Sequence, residues 1–140
     1  MRPARILVVD DSSADVRLLE EAVAELQLPA VLHAVPDGER ALAQLRSTSA
    51  RPDMILLDLN LPRLDGRELL RIIKQDPALL SIPVIVLSTS SSPADVRACY
   101  ALHANAYLVK PLGLDALAEL VRAMHAFWLQ AARLPLREAA

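Results

Sequence analysis

The chain has 140 residues, 54% of them hydrophobic, and a formal net charge of -2. That length makes one domain with enough apolar material for a layered core, and no basic stripe marks it for nucleic acid. A single cysteine, Cys99, excludes an internal disulfide and a cysteine-rich zinc site. No stretch approaches a secretory apolar segment or the roughly 18 apolar residues of a membrane span, so a cytoplasmic domain without nucleic-acid or membrane partners is expected.

Ile6–Val9 opens the chain as a continuous apolar run, and the spacing of Val16, Leu19, Val23 and Leu26 then predicts a helix over Ser13–Gln27. Ser12 or Ser13 caps its start, with Asp15 in the first turn. Ala30–Val35 reads as a weaker, peripheral strand and Asp37–Leu45 as a short helix. Met54–Leu57 is the second continuous run, followed by a helix over Gly66–Gln75 carrying Leu69, Leu70, Ile72 and Ile73. Val84–Leu87 is the third run, and Pro93–Leu102 a helix with proline in its first turn. Tyr107–Val109 is the fourth run, and Leu114 to about Leu129 forms the last helix.

The four runs do not alternate polar with apolar residues. That pattern suits strands covered on both faces, as in a parallel sheet flanked by helices. Five strand–helix alternations predict a doubly wound α/β domain, with too few units for a (β/α)8 barrel.

Each strong run ends on a residue with chemical capacity: Asp10-Asp11, Asp58, Ser88 and Lys110. In open parallel sheets ligands bind beyond the carboxyl ends of the strands, so these side chains should share one crevice. Crowded carboxylates raise each other's pKa unless a cation joins them, and hard oxygen ligands on short turns point to magnesium. Asp11 and Asp58 are suited to bind it directly and Asp10 through water. Asp58, ending a central strand, is then the candidate nucleophile toward phosphorus. Lys110 would neutralise the phosphoryl oxygens and Ser88 donate a hydrogen bond to one of them. A cis Lys110–Pro111 bond is a further expectation.

The segments Ile6-Leu-Val-Val-Asp-Asp11, Met54-Ile-Leu-Leu-Asp-Leu-Asn-Leu-Pro-Arg-Leu-Asp-Gly66, Pro83-Val-Ile-Val-Leu-Ser88 and Ala106-Tyr-Leu-Val-Lys-Pro111 resemble, in order and spacing, the receiver domain of two-component response regulators, of the CheY-like superfamily. The resemblance covers roughly residues 5 to 125. It implies a flavodoxin-like, five-stranded parallel sheet of order 2-1-3-4-5 flanked by five helices. It also implies Asp58 as phosphoacceptor, Asp10 and Asp11 as the acidic pair, and Asn60 as a backbone-carbonyl metal ligand. Ser88 becomes the switch hydroxyl, Tyr107 the switch aromatic and Lys110 the phosphoryl-contacting lysine. The cofactor implied is Mg2+ and the partner a sensor histidine kinase, so the protein would be a signalling phosphoacceptor and not an enzyme. Asp11-Ser-Ser-Ala-Asp-Val-Arg-Leu-Leu-Glu-Glu21, Asp76-Pro77 with Ile82-Pro83, and Phe127-Trp128-Leu129 are similar to the stand-alone regulators paired with bacterial phytochrome kinases. His103 stands where many members have glycine, so a different loop backbone is expected there; Ser88 replaces the more frequent threonine.

Plainer roles stand beside these. Tyr107 could be a packing tyrosine, and Cys99 reads as a buried helix residue. His33, His103 and His125 share no ligand spacing and read as structural or surface residues. The charged faces Glu20, Glu21, Glu25 and Arg67, Arg71, Lys74 read as solvated. Residues 1–130 are taken as the receiver and 131–140 as a tail. Phe127, Trp128, Leu129, Ala131, Ala132, Leu134 and Leu136 are more apolar surface than one finished core needs. That surplus favours a homodimer through the fourth and fifth helices and the edge strand, against a tail folding back. Two other functions fit parts of the pattern: a magnesium-dependent phosphatase with an aspartyl nucleophile, and a flavodoxin-like cofactor carrier. The first needs a second carboxylate where Asn60 stands, and acidic strand ends would repel a flavin phosphate.

Overall fold

Continuous apolar runs become the middle of a sheet in the structure, a computed structural model that describes residues 2–47 and 51–135. Among the described residues the order is β1 (Ala4–Val9), α1 (Ser13–Glu25), β2 (Ala30–Val35), α2 (Gly38–Arg46), β3 (Met54–Leu57), α3 (Gly66–Gln75), β4 (Val84–Ser88), α4 (Pro93–Ala101), β5 (Ala106–Val109) and α5 (Leu114–Met124). A π-helical segment, His125–Ala131, continues α5. All strand pairs are parallel, in the order β2-β1-β3-β4-β5, as the resemblance implied.

Two apolar layers follow from strand alternation. Leu7, Val9, Ile55, Leu57, Val84 and Val86 face Leu45 of α2, Leu69, Leu70 and Ile73 of α3, and Cys99 of α4. Ile6, Val8, Met54, Leu56, Ile85 and Leu87 face Leu19 and Ala22 of α1 and Leu117, Val121 and Met124 of α5. Burying each such aliphatic side chain contributes roughly 1.5–3 kcal/mol, enough in sum to fix which face each helix covers. The outer strands β2 and β5 are only partly covered, which is why their apolar signal in the sequence is weaker.

Local chemistry sets the helix ends. Ser12, rather than Ser13, caps α1 by accepting from Asp15 N. Asp37 and Asp65 do the same for α2 and α3. At their C-termini, α1 and α4 close through left-handed residues that are not glycine, Gln27 (φ 52) and His103 (φ 71). In each case the following amide reaches back five residues: Leu28 N to Val23 O at 3.1 Å and Ala104 N to Cys99 O at 3.0 Å. The loop at His103 therefore keeps the left-handed turn a glycine would make. The different backbone expected there is not adopted, because the hydrogen bonds that end α4 require that turn.

Three other expectations change. Trp128 and Leu129 pack on the α1–α5 layer, and Leu134 is buried. Much of the apolar surplus thus serves the domain itself, leaving Phe127, edge-on to Trp128, 57% exposed; Leu136 lies outside the described residues. Arg67 is no solvated residue, since its guanidinium bridges α3 to Asp95 of α4 at 2.7 Å. Nor is Lys74, whose ammonium donates to the carbonyls of Leu80 and Ile82. Glu20, Glu21 and Glu25 are exposed as expected, and Cys99 is buried.

One contact ties the fold to the strand tips. Gly66 begins α3 directly against the peptide after β3, and a Cβ there would lie 2.5 Å from Asp58 O and 2.6 Å from Leu59 Cα. Both are backbone atoms that cannot swing away. Gly66→Ala should therefore destabilise the protein by about 1–3 kcal/mol in urea denaturation, despite alanine's better helix propensity. Unchanged stability would mean that α3 does not press on the Asp58 peptide.

Candidate functional site

Asp10 and Asp58 are the first residues past adjacent strands β1 and β3, and the Asp58 amide donates to Val9 O at 3.0 Å. Register alone thus brings the two carboxylates together. Asp11 stands beside them at the surface, and one carboxylate oxygen from each of the three lies within 4.8 Å of the others. Asp10 is buried and held by the Ser12 amide at 2.9 Å; Asp58 accepts from the Asn60 amide at 3.4 Å. Lys110 enters from the end of β5, its amide on Ser88 O at 2.7 Å. The Lys110 ammonium reaches Asp10 Oδ2 and Asp15 Oδ2, each at 2.9 Å, and stands 3.6 Å from Asp58 Oδ2. Every described peptide bond is trans. The cis Lys110–Pro111 bond is not adopted; trans is the ordinary preference of such bonds, and the ammonium reaches the crevice from it.

Three carboxylates thus face one ammonium, and Asp11 adds a fourth negative charge beside Asp58. Burial lifts the Asp58 carboxyl above the usual carboxylate range. Lys110 pulls it back, Asp10 and Asp11 push it up, and the Asn60 N–H does not reverse the outcome. Burial also penalises the Lys110 ammonium, but its hydrogen bonds to Asp15 and Asp10 and the charges of Asp10 and Asp58 outweigh that penalty, so it stays protonated. Hard oxygen donors of one sign, with one ligand exposed, fit a divalent cation.

Ser88 ends β4 with its side chain buried, and its Oγ accepts from the Ser90 amide at 3.1 Å. Tyr107 packs against the α2–α3–α4 layer while its hydroxyl donates to Ser90 O at 2.8 Å. Ser90 Oγ donates to Asp95 at 2.6 Å, and Asp95 also takes Arg67 of α3. Tyr107 is thus a packing tyrosine whose hydroxyl is held at the β4–α4 loop. Asp10, Asp11, Asp58 and Lys110 converge as expected, with Ser88 on the neighbouring strand tip. Asn60 is exposed, with its amide turned to Asp58.

Sequence reasoning missed two groups. Asp15 passed as a first-turn helix acid, because its partner Lys110 lies 95 residues further along the chain. The Ser90–Asp95–Arg67 chain joins three separate segments and left no local signal.

Parallel strands whose tips carry an acidic cluster, a hydroxyl and a lysine define a receiver. Residues 6–122 match the response regulator receiver domain, and the chain belongs to that family. The response regulator Rcp1 of Synechocystis sp. is 46% identical over 138 residues, covering 95% of this chain and 94% of its own. The crystal structure of the phosphorylated cyanobacterial phytochrome response regulator RcpA superposes with a TM-score of 0.89 at 46% identity, covering 95% of this chain and 99% of that one. The response regulator RPA3017, in red light signaling of R. palustris, gives 0.88 at 37% identity over 94% of this chain and 98% of its own. A manganese-bound form of Rcp1 has also been solved. Among the described residues no helix is long and apolar enough to cross a membrane.

The raised Asp58 pKa has a stability consequence. A carboxyl raised by folding favours the fold while protonated, and that contribution is lost as pH climbs through the folded value. At neutral pH without metal, ionised Asp58 is therefore a net burden. Asp58→Asn should stabilise the metal-free protein by roughly 1–2 kcal/mol in urea denaturation with chelator, and should lose most of the stabilisation that magnesium gives the parent. A loss of stability in the metal-free Asp58→Asn variant would contradict this electrostatic account.

Proposed function

We propose that the protein is a phosphoacceptor of a two-component system, with Asp58 esterified by a phosphoryl group from a sensor histidine kinase. The observation that carries this reading is the placement of Asp58. Its carboxylate shares one crevice with Asp10 and Asp11, and the Lys110 ammonium stands 3.6 Å away. An Asp58 oxygen attacks phosphorus as the P–N bond to the kinase histidine breaks, and the bond's electron pair returns to the imidazole. Lys110 then faces the new phosphoryl oxygens, and Ser88 turns its hydroxyl toward one of them. Asp10, Asp11, Asp58 and the Asn60 carbonyl would hold Mg2+. When bound, that ion offsets the negative charge of the acceptor and the incoming group.

Ser88 connects this event to the surface. Its Oγ accepts from the Ser90 amide, so a turn toward a phosphoryl oxygen acts on that bond, and Ser90 also receives the Tyr107 hydroxyl. The added charge thus biases the β4–α4 loop, α4 and β5 together. No turnover of an outside substrate is assigned; the chemistry is the protein's own phosphorylation and its hydrolysis. The likeness to Rcp1, RcpA and RPA3017 supports a bacteriophytochrome-type kinase as donor, and with it a cytoplasmic place of action. A homodimer through α4, β5 and α5 is supported by Tyr100, Val109 and Leu112, which stay exposed on or beside those elements.

Acetyl phosphate or beryllofluoride with magnesium should modify the protein at Asp58, read by mass spectrometry or NMR. Asp58→Asn and chelator should each abolish the change, and labelling that survives in Asp58→Asn would overturn the assignment. For the dimer, sedimentation should give twice the chain mass, and Val109→Asp should return a folded monomer. A parent that sediments as a monomer at all concentrations, with or without beryllofluoride, would end that part of the proposal.

A further inference from the structure

The Lys110 ammonium is not centred on Asp58. It is shared at 2.9 Å each between Asp10 and Asp15, with Asp58 more distant at 3.6 Å. Lys110 and Asp15 line one small pocket with Leu18, Leu19, Leu87, Pro111 and Leu117, apolar side chains that offer the ammonium no competing acceptor. Asp15 is equally fixed at its backbone, because its amide donates to the Ser12 side chain that starts α1. Asp15 keeps 40% of its side chain in solvent, whereas Lys110 keeps 12%. Holding the ammonium therefore costs Asp15 less desolvation than it would cost a buried carboxylate.

We propose that Asp15 is a positioning residue: it holds the Lys110 ammonium on the α1 side of the crevice, so that Asp58 stays available to a divalent cation until a phosphoryl group arrives. This rests on the reading of Asp58 and Lys110 given above and deepens it. An ammonium drawn onto Asp58 would neutralise a carboxylate that the cation needs. Once phosphorus is bound, the same Asp15 becomes a competitor, because its charge repels the phosphoryl oxygens and draws the ammonium from them. One carboxylate thus biases the two ligands in opposite directions, helping the metal and opposing the phosphoryl group.

Opposite signs are what a loosened fold cannot produce. Asp15→Asn should weaken Mg2+ binding by about 3- to 10-fold and, at saturating Mg2+, tighten beryllofluoride by a similar factor, both read by titration calorimetry. Asp15→Glu should return both toward the parent. The chain has two lysines, Lys74 and Lys110, so lysine labelled at Cε and Nζ supplies a readout without metal. Asp15→Asn should move the Lys110 NMR signal and leave Lys74, bound to the Leu80 and Ile82 carbonyls, in place. If both affinities fall together, or neither changes, the positioning role is wrong. If the parent itself binds neither Mg2+ nor beryllofluoride, it is the reading of the site that fails.

Discussion

Carboxylates crowded at the tips of buried strands repel one another, and how that repulsion is met governs the chemistry open to this protein. Parallel pairing of β1 with β3 forces Asp10 and Asp58 side by side, whatever their charge. Apolar layers beneath them keep out the water that would screen the pair. One ammonium is too little to balance the cluster, and Asp58 responds by holding its proton more tightly than a free carboxylate. Cation binding and phosphoryl acceptance draw on this same imbalance. The site is therefore under electrostatic load before any ligand arrives.

A short polar route leads away from that site. Ser88, Ser90, Tyr107, Asp95 and Arg67 follow one another from the end of β4 to α3, α4 and β5. Ser90 is the junction: its amide donates to Ser88, its carbonyl accepts from Tyr107, and its hydroxyl donates to Asp95 and accepts from the Ser92 amide. Ser88 and Ser90 share a hydrogen bond, and the other contacts of Ser90 reach α4 and β5 directly and α3 through Asp95. The exposed apolar residues Tyr100 and Val109 lie on the elements so reached.

What the amino-acid order made legible was whatever repeats or abuts. Uninterrupted runs such as Met54–Leu57 marked strands buried on both faces, and the polar residue after each run marked the site. Weak patterning in Ala30–Val35 correctly announced an edge. Contacts assembled from distant segments were not legible. Asp53 is an example: it is 1% exposed and is held by Arg2 through two hydrogen bonds and by the Arg5 amide, yet no motif surrounds it. The same holds for Asp15 on Lys110 and Arg67 on Asp95. The chain after Met124 misled for another reason. Its apolar residues looked surplus to one finished core, whereas Trp128 and Leu129, in the π-helical segment His125–Ala131, and Leu134 beyond it lie on the domain.

The left-handed ends of α1 and α4 bear on the unfolded chain as much as on the folded one. With three glycines in 140 residues, the disordered ensemble has little of the backbone freedom that glycine brings, so less entropy is surrendered on folding. Gln27 and His103 oppose that gain with a local penalty of about 1–2 kcal/mol each for an L-residue in the left-handed region. Stability here thus comes partly from a stiff denatured state, and the two helix ends, with Arg63 (φ 65) in the loop before α3, are where the native state bears the cost of that stiffness.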